Sequence, residues 1–117
     1  SKYGLPPEEV EAFAASLKAF HSLQVRGLMT LAVFSDDQDQ VRRCFETMVD
    51  LRARLRESPG SPDRFAELSM GMSGDFELAI AEGATTVRVG TAIFGHRPTP
   101  DSSYWPGFAG GAGGDAR

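Results

Sequence analysis

Cysteine, histidine and positive charge are all scarce in this chain of 117 residues. The single cysteine, Cys44, excludes an intrachain disulfide and fits a reducing compartment. The two histidines, His21 and His96, have no cysteine or carboxylate partner at ligand spacing, so no metal site is expected. A formal net charge of −4 argues against a nucleic-acid partner, because phosphate-backbone binding needs a basic face. No apolar run approaches the roughly 18 residues of a membrane span, and no signal-peptide pattern is visible. The expectation is a cytoplasmic chain with neither nucleic acid nor membrane as partner. The length is also short for the architecture suggested below.

What is present is an alternation of helical and strand patterns. Pro6 and Pro7 open a helix with Glu8 and Glu9 in its first turn, and Val10, Phe13, Ala14, Leu17 and Phe20 recur on one side. That spacing predicts an amphipathic helix over about 7–22. Val25 to Ala32 is a short, mostly apolar run, as a buried parallel strand should be. Ser35 and Gln38 form a capping-box pattern before a helix to Glu57, with Val41, Phe45, Met48, Leu51 and Leu55 on one face and Cys44 beside it. Ser58 to Pro62 is a turn. A strand over Phe65–Met70, a helix over Asp75–Glu82 stopped by Gly83, a strand over Thr86–Val89 and one helical turn over Thr91–Phe94 follow. The order α-β-α-β-α-β-(α) implies an α/β fold with a parallel sheet and covering helices. From Pro98 to Arg117 the composition turns to Pro, Ser and Gly, expected as a flexible tail.

The stretch Phe65 to Arg97 carries the chemistry. It contains two strand–turn–helix units, with turns at Ser69–Gly74 and Arg88–Thr91. Amide groups at a helix start, with the helix dipole behind them, favour an anion. In parallel barrels the phosphate site lies in the loops after the seventh and eighth strands. A phosphate-bearing ligand is therefore suggested. Ser73 is expected at the N-cap of the helix after the first turn, either as a plain cap or as a phosphate contact. Asp75 would repel phosphate if it faced the site, so it is expected to point outward and serve the dipole. Gly90 permits close backbone approach and Thr91 adds N–H and hydroxyl donors; a turn glycine and a cap would look the same. Ser69 and Met72 line the first turn as weaker candidates. Arg88, at the C-terminal end of a buried strand, is either functional or paired with a glutamate. Gly90 to Gly95 has P-loop glycine spacing, but His96-Arg97 replaces the required Lys-Ser/Thr, so nucleotide binding is rejected. Asp36, Asp37 and Asp39 read as a solvated helix start.

The block LSMGMSGDFELAI, followed by EGATTVRVGTAIFG, closely resembles the pyridoxal phosphate homeostasis proteins. These are the proline-synthase-co-transcribed homologues, whose fold resembles the N-terminal barrel of alanine racemase. SKYGL at Ser1 to Leu5 and VRGLMTLA at Val25 to Ala32 match in the expected order. The resemblance implies that residues 1–97 are the C-terminal half of a (β/α)8 barrel, a fold of about 250 residues when complete. Ser1 in place of Met fits a piece of a longer chain. The implied cofactor is pyridoxal 5′-phosphate, with Ser73, Gly90 and Thr91 on its phosphate. Arg88 would face the pyridine nitrogen and keep it unprotonated, which makes the ring a poor electron sink. In the family the Schiff-base lysine lies on the first strand. The chain lacks that segment and begins at what would be the loop after the fifth strand; Lys2 belongs to SKYGL and is not that lysine.

The resemblance implies a non-catalytic cofactor carrier. Half of an alanine-racemase-like isomerase is an alternative, opposed by the lack of a following β domain to supply a second-face tyrosine; Tyr104 is the one tyrosine beyond the barrel motifs. A truncated chain without independent activity is a third. In a closed barrel the strands at Val25–Leu31 and Thr86–Val89 would each pair with a strand this chain lacks. Self-association, or pairing with the missing N-terminal half, is therefore expected.

Overall fold

A computed structural model describes residues 4–57 and 65–96. Lys2, the turn at Ser58 to Pro62 and the tail from Pro98 lie outside the described residues. Three parallel strands form one sheet in the order β1-β2-β3: β1 Gly27–Met29, β2 Glu67–Met72 and β3 Thr86–Arg88. The helices are α1 Val10–Ser16, α2 Gln38–Glu57, α3 Phe76–Glu82 and the single turn α4 Thr91–Phe94. The expected alternation and parallel pairing are both present.

The core lies on one face of the sheet. Val41, Phe45 and Met48 of α2 pack with Leu68 and Met70 of β2 and with Ala79 of α3. The whole α2 face expected from its periodicity is buried, including Leu51 and Leu55. Phe45, Leu68 and Met70 are fully enclosed, and burial of each such side chain contributes about 1.5–3 kcal/mol. Cys44 is half-buried beside this face. The opposite sheet face is open: Met29 is 63% exposed and Leu31 just beyond it 53%.

Several boundaries differ from expectation, each for a local reason. Asp37, not Ser35, caps α2: its Oδ1 accepts the Asp39 N–H at 3.0 Å, while Ser35 Oγ accepts that of Asp37. Gln38 is the first helical residue, too early for a capping box. The expected helix over 7–22 is three short pieces, with 3-10 turns at Pro7–Glu9 and Leu17–Ala19 around α1. Phe13 and Phe20 are exposed. Tertiary packing supplies most helical stability, and this segment packs on little besides α2. The strand expected over Val25–Ala32 is reduced to β1. The ladder extends by single bonds at its ends, from Glu67 N to Arg26 O and from Thr30 N to Ser69 O.

The largest correction concerns β2, which runs two residues beyond the expected Phe65–Met70. Ser69 pairs with Met29 on one side and Thr86 on the other, so it is mid-strand and not in a turn. The next pair to β3 is Met72 with Arg88. β2 thus carries one residue more than β3 between the pairs, a bulge. Gly71 sits there at φ +105°. A Cβ on it would stand 2.7 Å from Ala79 Cβ and 3.1 Å from Phe76 Cα. Only glycine combines that dihedral with that proximity. Gly83 ends α3 at φ +116°, as expected, with its own N–H and that of Ala84 donating to the Ala79 carbonyl.

Gly71→Ala is expected to destabilise the fold by about 1–3 kcal/mol, from left-handed strain and the collision with α3. Gly90→Ala should stay within about 0.5 kcal/mol, since its φ is −118° and a Cβ there meets nothing within 4 Å. Urea unfolding of both variants checks the contrast, and equal midpoints would contradict it.

Candidate functional site

The carboxyl ends of β2 and β3 open into adjacent turns, and the bulge at Gly71 sets how they meet. Beyond it, β2 ends at Met72 and the chain turns through Ser73, Gly74 and Asp75 into α3. Two bonds close that turn. Asp75 N–H donates to the Met72 carbonyl at 3.1 Å, and Met72 N–H donates to Asp75 Oδ1 at 2.7 Å. The expectation that Asp75 points outward is therefore corrected: its carboxylate folds back onto the end of β2. Asp75 is the N-cap residue of α3, but its side chain makes no bond to that helix start.

Ser73 is not the cap of α3 either. Its Oγ reaches across to the other turn and accepts the N–H of Gly90 at 3.3 Å and of Ala92 at 3.1 Å. These amides open α4, whose N-cap residue, Gly90, has no side chain to serve them. Ser73 thus caps a helix from a different strand–turn unit. Ala92 was not singled out from the sequence. The available signal was its place in a helix's first turn, where amides lack intrahelical partners.

Gly90 tests whether a ligand fits. Its φ is open to any residue and nothing crowds it, so no neighbour accounts for the missing side chain. Gly90 is exposed, and a Cβ on it would stand in open space. Thr91, next along, is half-buried. Ser73, Gly90 and Thr91 are thus assembled at one place, as the motif spacing suggested.

Arg88 ends β3 and is half-buried. Its Nη2 donates to the Thr30 carbonyl at 2.7 Å, beyond the end of β1. Its Nε is buried and has no hydrogen-bond partner. Among the described residues, no ion pair joins Arg88 to a glutamate. Met72 pairs beside it. Ser69 lies farther back in β2, on the face opposite Leu68 and Met70 by alternation. Thr30 contributes through its backbone, for which residue type gives no signal.

A cleft of about 480 Å³, which Ser73 also lines, lies between the Phe34–Gln38 segment and the start of α3. Asp36, Asp75 and Glu77 line it. An anion there would meet like charge, whereas Arg88 lies on the β3 side. Electrostatics thus favour the α4 amides over the α3 start. Among the described residues, no group of three or more His, Cys, Asp or Glu is placed to hold a metal ion, and no helix is long and apolar enough to cross a membrane.

The chain is similar to several known proteins. The family model for the alanine racemase N-terminal domain matches residues 1–98. The pyridoxal phosphate homeostasis protein of Bos taurus is 44% identical over 99 residues, which are 83% of this chain and 36% of that protein. A solved protein of unknown function from Bifidobacterium adolescentis is 43% identical with a TM-score of 0.72, over 78% of this chain and 36% of that one. PipY of Synechococcus elongatus, solved with pyridoxal phosphate bound, is 39% identical with a TM-score of 0.70, over 79% and 43%. The chain thus spans well under half the length of each of these relatives.

Asp75→Ala should cost about 1.5–3 kcal/mol, the scale of a hydrogen bond to a charged group, because the Met72 amide loses its acceptor. Asp75→Asn keeps an oxygen there and should lose less. Chemical unfolding of the two variants measures this, and an Asn variant as unstable as the Ala variant would contradict it.

Proposed function

The chain belongs to the alanine racemase N-terminal-domain family, and we propose that it binds pyridoxal 5′-phosphate by its phosphate, as part of a non-catalytic cofactor carrier. The observation that carries this is the junction of the two turns: Ser73 Oγ, the Gly90 and Ala92 amides and the empty space beside Gly90. Short, charge-assisted bonds to such donors hold a phosphate oxygen. The relative solved with pyridoxal phosphate bound supports the choice of ligand, and the names of the curated relatives support homeostasis over turnover. A cytoplasmic placement belongs to the same reading and rests on the single cysteine.

In this proposal Ser73, Gly90 and Thr91 hold the phosphate, with Met72 beside the ring site and Ser69 deeper on the same sheet face. When bound, the cofactor supplies an aldehyde and an electron-accepting ring. Arg88 is a fixed cation whose guanidinium is oriented by the Thr30 carbonyl. Set against a ring nitrogen, it keeps that nitrogen unprotonated, because a neighbouring positive charge disfavours a second one. The ring is then a weak electron sink, which suits storage.

Ser73→Ala and Thr91→Ala are each expected to weaken pyridoxal 5′-phosphate binding by about 1–3 kcal/mol. Binding of pyridoxal, which lacks the phosphate, should change little. Calorimetric titration with both ligands separates the cases. An equal loss for both would place these residues away from the phosphate.

We also read the described strands as part of the C-terminal half of a (β/α)8 barrel. Within the described residues β1 and β3 each pair on one side only, with β2 between them. Open edges recruit other strands, and Met29 and Leu31 leave apolar surface beside the β1 edge. Association with a second copy, or with a chain carrying the preceding barrel strands, would pair those edges. Sedimentation velocity at micromolar concentration should show a dimer or larger species. A cooperatively unfolding monomer would refute the association.

A further inference from the structure

We infer that Thr85 is a positioning residue for the ligand site: its hydroxyl stands in for a ladder rung and fixes the register in which β3 meets β2. The consequence for binding rests on the reading under Proposed function; the register itself does not. Thr85 lies just before β3. Its Oγ1 accepts the Leu68 N–H at 2.8 Å and donates to the Leu68 carbonyl at 3.2 Å. Its own N–H donates to the same carbonyl at 2.9 Å. In a sheet ladder an amide meets a main-chain carbonyl of the neighbouring strand. At Leu68 a side-chain oxygen takes that place. Leu68 is fully buried, and a buried donor that loses its acceptor is costly. The hydroxyl therefore holds Leu68 and the entry to β3 together.

Register is at stake here because β3 is short. It has three residues, and the pairs Ser69 with Thr86 and Met72 with Arg88 enclose the bulge. A strand with so few rungs depends on how its ends are fastened. Gly83 and Ala84 still bond back to α3, and Thr85 is the next residue and bonds to β2. A slip of one residue would exchange the two faces of β3. Val87, whose Cγ1 lies 3.2 Å from where a Gly71 Cβ would stand, would leave the core side, and Arg88 would enter it. Arg88, Gly90 and Thr91 follow Thr85 by three, five and six positions. Its anchorage thus sets where all three stand relative to Ser73. Thr85 acts on the site from the opposite end of the strand, without touching the ligand.

Calorimetric titration of the 117-residue chain with pyridoxal 5′-phosphate, at a temperature where each variant is folded, tests this. Thr85→Val keeps the shape and loses the hydroxyl. It should weaken binding by about three- to tenfold, the scale of one net hydrogen bond. Thr85→Ser keeps the hydroxyl and should bind within about twofold of wild type. Leu55→Val removes a buried methylene from the last turns of α2, outside the β2–β3 pairing, and should bind as wild type. Tight binding by Thr85→Val, or an equal loss in Leu55→Val, overturns the inference. Amide resonances of the ligand-free chain separate the register from the ligand reading. Thr85→Val should shift those of Arg88 and Gly90 as well as that of Leu68, and a change confined to Leu68 overturns the inference. If wild type binds no ligand while those resonances shift, the phosphate reading falls and the register role stands. Should the Val variant fail to fold, Thr85→Ser decides. A folded Ser variant with wild-type resonances at Arg88 and Gly90 supports the hydroxyl's role. A Ser variant that unfolds, or that moves those resonances, overturns it.

Discussion

The approach of the β2 backbone to α3 at Gly71 organises everything near the site. With no side chain and a left-handed φ, that residue lets β2 bulge against Ala79 and Phe76. The bulge inserts one residue relative to β3, so Met72 pairs beside Arg88. The turn beyond then begins where Ser73 can reach the α4 amides. A larger residue would push α3 away from the sheet or straighten the strand, and either would separate the two turns.

Around that constraint the molecule divides its chemistry between two sheet faces. One face buries Leu68 and Met70 under α2 and α3 and supplies the packing energy. The other bears Ser69, Arg88 and the exposed Met29. At the carboxyl end of the strands the charge is also divided. Carboxylates gather in the cleft before α3, while Arg88 stands by the turn that leads into α4. Ser73 lies on the boundary. Helix dipoles alone do not distinguish the two helix starts; the neighbouring side chains do.

Polar groups in the site are held by backbone more than by one another. Arg88 is fixed by the Thr30 carbonyl, Asp75 by the Met72 amide and Ser73 by the amides of Gly90 and Ala92. Such bonds hold each of these groups from the main chain. They also make the site depend on strand register, since a shift of one residue in β2 would carry Ser73 away from the Gly90 and Ala92 amides.

The α2 face was legible in the sequence because its helical period and its burial obey one rule: residues a turn apart face the same core. The strand–turn–helix order was legible from local spacing, which also set the candidates Ser73, Gly90, Thr91 and Arg88 in two successive turns. The length of β2, the roles of Ser73 and Asp75 and the break-up of the first helix were not. β2 continues past Met70 because β3 pairs with it at Met72, and that partner lies outside the local sequence. Ser73 has the chemistry of a cap wherever it stands, but which helix it caps depends on how two turns meet. Asp75 suits a helix start, yet its carboxylate closes a turn by accepting the Met72 amide at the end of β2. Residue type and spacing determined which groups were available; long-range packing decided what each of them touches.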